Sequence, residues 1–253
     1  MTGETPVSQF GGRLPRESGL IIKVFIRTLF LFPSPHFFVT ITNAMNLRNG
    51  FLPFDRDSEV HRSRRKLPHW EQAGCTYFVT FRLGDSIPAV KLKQWKEERD
   101  NWRDCHPEPW SPREWQEYQD RFLSRIVRWS DAGWGACLLR NPGARQIVYD
   151  AFLFFEGDRY AVDQFVIMPN HVHLLVCLLD GWSLAKVLHS WKSFTAHEIN
   201  KLLGRSGMVW MDERFDHIVR SAAQRDHFRR YIAANPLHAR LPEGDFTLWG
   251  REG

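Results

Sequence analysis

Two apolar runs separated by only two residues constrain this chain most. Tyr160 to Met168 carries Val162, Phe165, Val166 and Ile167, and His171 to Leu178 reads His-Val-His-Leu-Leu-Val-Cys-Leu. Only Pro169-Asn170 lies between them. Parallel strands need a crossover of a dozen or more residues. A Pro-Asn turn permits antiparallel pairing alone, so the two runs are predicted to form a β-hairpin.

Further elements fall around that hairpin. Cys75 to Leu83 is β-branched and aromatic, with Gly74 before it and Gly84-Asp85 after it, and reads as a strand. Lys91 to Asp104 places Leu92, Trp95, Arg99 and Trp102 at helical spacing. Ser111-Pro112-Arg113-Glu114 has the cap, first-turn proline and third-position glutamate that begin a helix, which is expected to reach Trp129. Ala144 to Phe155 is another helix, and Ser183 caps one running to about Leu203. Phe215 to Val219 is a short strand, and Gln224 to Ala234 is a last helix that Pro236 is expected to stop. Past the helical insertion that follows the first strand, the order approximates β-α-β-β-α-β. That order predicts an α+β, ferredoxin-like antiparallel sheet with helices on one face. No internal repeat or low-complexity tract is visible.

Residues 1–44 read as a disordered extension or as a mis-assigned start, with translation beginning at Met45. The apolar run Leu20 to Phe32 is interrupted by Lys23 and Arg27 and is shorter than the ~20 residues a spanning helix needs, so no membrane association is expected. Residues 45–67 form a basic arm, with Arg62, Arg64, Arg65 and Lys66, suited to a solvated surface or to phosphate. Residues 68–253 make the folded domain. The net charge of +5 favours a polyanionic partner. Four separated cysteines, with no C-x-x-C pair, argue against a zinc ribbon and suit a reducing cytoplasm.

Chemistry concentrates in Met168-Pro169-Asn170-His171-Val172-His173-Leu174-Leu175-Val176. In a strand, residues two apart share a face, so His171 and His173 lie side by side, ~6.6 Å apart at the backbone. Imidazoles so placed can converge on one ion, because metal–nitrogen bonds are only ~2.0–2.2 Å. Taken alone, the pair is better explained as two polar histidines on a solvated sheet face.

The flanking segments decide between these. The histidine segment, preceded by Phe165-Val166-Ile167, resembles that of the IS200-like transposases, and most of all their REP-associated tyrosine relatives. Tyr77-Phe78-Val79-Thr80-Phe81-Arg82 is similar to that family's first strand. Leu184 through Asn200, with Trp191-Lys192-Ser193-Phe194-Thr195, is similar to the helix after its histidine strand. Trp210 through Arg220, with Phe215-Asp216-His217, resembles the segment leading to its final helix. Tyr231-Ile232-Ala233-Ala234-Asn235-Pro236 matches its tyrosine motif. The resemblance spans roughly residues 68–242.

What the resemblance implies is an HUH endonuclease fold and a catalytic tyrosine, Tyr231. It also implies a divalent metal, Mg²⁺ or Mn²⁺, held by His171, His173 and an amide at Asn235. Tyr231 and Asn235 are four apart and so share a helix face, although Pro236 is expected to draw Asn235 out of helical geometry. The implied reaction is cleavage and rejoining of single-stranded or hairpin, REP-like DNA through a 5′-phosphotyrosine. A monomer is expected in preference to a dimer. Lys186, Lys192, Arg220, Arg225, Arg229 and Arg230 are the cations best placed along the sequence to meet DNA. Two other readings stay open: a nucleic-acid-binding regulator that keeps the fold without cleaving, and a metal nuclease that uses water while Tyr231 is structural.

Overall fold

A computed structural model describes residues 61–64, 68–72, 74–107 and 110–251. The expectations for residues 1–44, and for Arg65 and Lys66 of the basic arm, lie outside these. Residues 45–60 and Leu67 of the arm also lie outside them; its described stretch is a strand, β1 (His61–Arg64), which pairs antiparallel with β2 (Pro68–Glu71).

The main sheet has five strands: β3 (Thr76–Arg82), β4 (Tyr160–Ile167), β5 (His171–Leu178), β6 (Phe215–Ile218) and β7 (Thr247–Gly250). Their spatial order is β6-β3-β5-β4-β7, and every pairing is antiparallel. The first four strands follow the ferredoxin-like order, and β7, which lacks a distinctive sequence signature, extends the edge beside β4. Met168 N–H donates to the His171 carbonyl (2.9 Å) and closes the β4–β5 hairpin at the expected turn.

Helix α1 (Ala89–Cys105) is followed by α2 (Pro112–Tyr118), a π turn at Gln119–Leu123, and α3 (Ser124–Asp131). The helix expected over this stretch is therefore interrupted once. Its start is as expected: Ser111 Oγ accepts from Glu114 N–H while the Glu114 carboxylate accepts from Ser111 N–H. After it come α4 (Pro142–Phe154), α5 (Leu184–Leu202, capped by Ser183) and α6 (Ala222–His238).

The sheet is covered on both sides. Tyr77, Val79, Phe81, Val172, Leu174 and Val176 point to one face and pack against Phe152 of α4 and Trp191 of α5. The expectation of helices on one face holds for this pair. Residues of the opposite parity, Phe78, Val166 and Leu175, pack on the other face against Ile232, Phe228 and Tyr231 of α6. Strands β3, β4 and β5 are buried along their whole length, which demands cover on both sides. The insertion α1–α3 has its own small core, with Trp95, Trp102, Tyr118 and Phe122, and partly buried Phe215 of β6 packs against it.

One helix end differs from expectation. Helix α6 continues through Pro236 to His238, with Ala239 N–H bonded to the Asn235 carbonyl (3.0 Å). Pro236 costs the helix one hydrogen bond, but Pro236 and Asn235 are both buried, and that packing outweighs the local preference.

Candidate functional site

His171 and His173 project from β5 toward α6, and both are buried. Their Nε2 atoms lie 3.0 Å apart. Each ring is held at its other nitrogen: His171 Nδ1 is 2.8 Å from Asn170 Oδ1, and His173 Nδ1 is 2.6 Å from Thr80 Oγ1 on β3. Asn170 fixes the tautomer of His171. Its amide nitrogen donates to the Ser130 and Trp134 carbonyls, both at 3.1 Å, so the oxygen toward His171 can only accept. His171 therefore carries a proton on Nδ1, and its Nε2 is the nitrogen turned toward His173. Burial pushes the His173 imidazole down to about 4, with His171 acting in the same direction and Asp131 opposing it, so the ring is neutral at neutral pH.

The same asparagine brings in a residue that no local pattern marked. By gripping the end of α3 and the loop after it, Asn170 sets Asp131 beside the histidines. Asp131 Oδ1 lies 3.3 Å from His171 Nε2 and 3.8 Å from His173 Nε2. Burial alone would raise the Asp131 carboxyl, but the two imidazoles outweigh it and hold it well below the usual range. The ligand atoms of Asp131, His171 and His173 all fall within 4.8 Å of one another, a set that suits a divalent cation.

Tyr231 and Asn235 face this cluster from α6. The Tyr231 ring stands edge-on to His173 at 5.2 Å between centroids, and edge-on to Phe78 at 5.8 Å. Phe78 also stacks on Phe228 at 4.3 Å, which steadies the helix over the sheet. The Tyr231 hydroxyl, Asn235 Oδ1 and Asp131 Oδ1 are all buried without a hydrogen-bond partner. The Asp131 carboxylate and the two imidazoles form a donor set that fits a cation. Burial raises the Tyr231 phenol strongly, the Asp131 charge raises it further, and the Asn235 amide works the other way.

The structure sets Tyr231 beside His173 and the His171–His173 pair, although the tyrosine lies nearly sixty positions beyond the histidines, and Asn235 lies one turn past Tyr231 on the same helix. It distributes the six cations differently. Arg225 forms a bidentate pair with Asp163 (2.7 and 2.8 Å), and Arg229 joins the same carboxylate at 2.8 Å. Asp163 is 0% exposed and sits where a β-bulge shifts the register between Val162 and Gln164. These two arginines thus clamp α6 to β4. Lys192 Nζ donates to the Met211 and Asp212 carbonyls at 2.7 and 3.3 Å. Lys186 is exposed on α5, the helix that packs on the face opposite the histidines, and Arg220 and Arg230 are exposed at and along α6.

With that geometry in place, the chain can be set beside known proteins. Residues 154–235 match the family model described as "Transposase IS200 like". The match begins at the end of α4, includes both histidines and Tyr231, and ends at Asn235; it leaves out β3 and the α1–α3 insertion. Among solved structures, a REP-associated tyrosine transposase bound to a REP hairpin aligns at 15% identity. That alignment covers 69% of this chain and 74% of that one, with a TM-score of 0.38. A protein of Deinococcus radiodurans R1, named as a candidate transposase, aligns at 11% identity, covering 69% and 98%, with a TM-score of 0.27. No curated protein matches the sequence.

Proposed function

We propose that this IS200-like protein is a metal-dependent single-strand DNA endonuclease and transposase that works through a phosphotyrosine intermediate. The observation that carries the reading is the contact of the Tyr231 ring, whose hydroxyl has no hydrogen-bond partner, with His173 across the α6–β5 contact. His171 and His173, with Asp131 and Asn235 as oxygen donors, would hold Mg²⁺ or Mn²⁺. The ion would polarise a phosphodiester and stabilise charge on its oxygens.

The chain's own residues perform the remaining tasks. Tyr231 oxygen attacks phosphorus, the bond to the 3′-oxygen breaks, and the leaving oxygen ends as a 3′-hydroxyl while the 5′-phosphate stays on tyrosine. The phenol must lose its proton, and burial beside Asp131 makes that costly in the free protein. Positive charge brought into the site by an ion would reverse that bias. Thr80 and Asn170 keep the imidazoles aligned, and the Asp163 clamp fixes the reach of α6. Because one chain supplies every group, the site is complete in a monomer. The hairpin substrate and REP-like specificity belong to this same proposal, supported by the tyrosine-motif resemblance.

The test uses labelled single-stranded hairpin DNA, Mn²⁺ and denaturing gels. A covalent protein–DNA band in the native protein that disappears in Tyr231→Phe is the expected result. Cleavage that persists in Tyr231→Phe would point to hydrolysis by water, and binding without cleavage to a regulator.

A further inference from the structure

The loop after α3 carries an aromatic ring that the fold does not absorb. Trp95, Trp102, Trp191 and Trp210 are buried, and each donates its indole N–H to a protein acceptor. Trp134 is half-buried, packs in none of the hydrophobic clusters, and among the described residues its indole N–H has no acceptor. Its loop is nonetheless held on both sides. The Trp134 carbonyl accepts from the Asn170 amide at 3.1 Å, and Ala136 N–H donates to the Asp85 carboxylate at 2.7 Å. Gly135, at φ +93°, passes so close that a Cβ there would lie 2.6 Å from the Asp85 carbonyl oxygen. A large ring that contributes to no core, on a fixed and exposed loop, has the build of a binding residue.

The charges around the ring are mostly positive. Lys91 Nζ, from α1, lies 4.2 Å from the Trp134 ring centroid and 5.7 Å from that of Trp129 on α3. Nearby carboxylates are engaged elsewhere: Glu98 pairs Arg125 at 2.7 Å, Glu97 pairs Lys93 at 3.9 Å, Asp85 holds the Ala136 amide, and Asp131 turns to the histidines. Among the described residues no carboxylate pairs Lys91, nor Arg128, which is exposed on α3 three positions before Asp131. An exposed cation–π contact is a weak one, so Lys91 can exchange the ring for a stronger anion. Flat rings beside uncompensated cations match a nucleotide strand whose bases are unpaired. A duplex hides its base faces in its own stack and offers no such match.

We propose that Trp134, with Lys91 and Arg128, is a stacking platform for the DNA single strand beside the cleavage centre: an unpaired base lies on the Trp134 ring and Lys91 pairs the adjoining phosphate. The proposal rests on the nuclease reading of the adjoining site. Asn170 joins the two, since its amide oxygen orients His171 while its amide nitrogen holds the Trp134 loop. The platform also gives the insertion a task, because α1 supplies the lysine and α3 the arginine.

The test is fluorescence anisotropy of labelled oligothymidine with the full chain in EDTA, set against an oligomer of equal length whose sugars carry no bases. The native protein is expected to prefer the strand with bases about tenfold, and to bind it more tightly than a duplex of the same length. Trp134→Leu keeps an apolar side chain without a flat ring and should lose most of that preference, whereas Trp134→Phe should retain it. Lys91→Gln should weaken both oligomers alike and flatten the slope of log affinity against log salt by about one. A preference undiminished in Trp134→Leu, a salt slope unchanged in Lys91→Gln, or duplex bound as tightly as single strand would overturn the platform. A Tyr231-dependent covalent adduct, with equal binding of the two oligomers, would sink the platform but leave the nuclease reading intact. A base preference that depends on Trp134, with no covalent adduct, would do the reverse.

Discussion

The two faces of the central sheet are built to different standards. On the face covered by α4 and α5 the buried indoles find partners: Trp191 Nε1 donates to Tyr160 Oη (2.9 Å) and Trp210 Nε1 to Thr195 Oγ1 (2.8 Å), while Arg145 Nε on α4 and Asn200 Oδ1 on α5 have none. On the face covered by α6 and the insertion, Arg82 Nη2, Tyr231 Oη and Asn235 Oδ1 are buried without a hydrogen-bond partner, and Asp131 Oδ1 meets only the two imidazoles. What sets the second face apart is that Tyr231, with its unpartnered hydroxyl, stands beside His173, where a partner would come from outside the chain. Local departures of this kind gather where function is carried out at the expense of stability.

The sharpest way to break this contrast is to truncate each face in turn and compare urea unfolding. Phe152→Ala removes a fully buried ring from the α4–α5 face and is expected to cost about 3–5 kcal/mol. Next in size is the clamp. Asp163→Asn leaves Arg225 and Arg229 facing a neutral amide and should cost about 3 kcal/mol in the same measurement. It should also slow adduct formation, because α6 then loses its anchor. Unaltered stability in Asp163→Asn would show that the helix is held by its apolar contacts alone.

The site face should also carry a pH signature. His173 has a folded pKa of about 4 against an ordinary value of 6.5. As pH falls through that interval the unfolded chain takes up a proton that the folded metal-free protein refuses, so stability is lost from about 6.5 downward. The loss should approach about 3 kcal/mol near pH 4, with His217, whose pKa is also lowered mainly by burial, adding in the same direction. Denaturation curves of His173→Gln should be flatter over the interval, and an unchanged slope would contradict the assignment. Asn170→Ala should then cost about 1–3 kcal/mol. It should also weaken Mn²⁺ binding about 10–100-fold by calorimetry, because it frees both His171 and the Asp131 segment. The smallest effect is Tyr231→Phe, expected to shift stability by no more than about 1 kcal/mol, since its hydroxyl has no partner to lose.

The parts of this architecture that were legible in sequence are those specified locally. The Pro169-Asn170 hairpin, the Ser111 and Ser183 caps, and the alternation placing His171 beside His173 depend on neighbours within a few positions. The parts not legible depend on partners far along the chain. Arg225 and Arg229 looked like DNA-facing cations until the fold supplied Asp163, more than sixty positions away. A charged residue inside the apolar run Tyr160–Ile167 was the one available hint of that clamp. Pro236 read as a helix stop because its burial could not be foreseen. Asn170 read only as a turn residue, although it also orients His171 and grips the end of α3. Asp131 had no signal at all, since its place beside the histidines is set by that grip.

The most direct measurement is anomalous diffraction at the manganese edge from crystals of the full chain soaked in Mn²⁺. The account predicts one strong peak within about 2.2 Å of Nε2 of both His171 and His173, with the Tyr231 hydroxyl directed toward it. A peak elsewhere, or none at the histidines under conditions that support DNA cleavage, would contradict it.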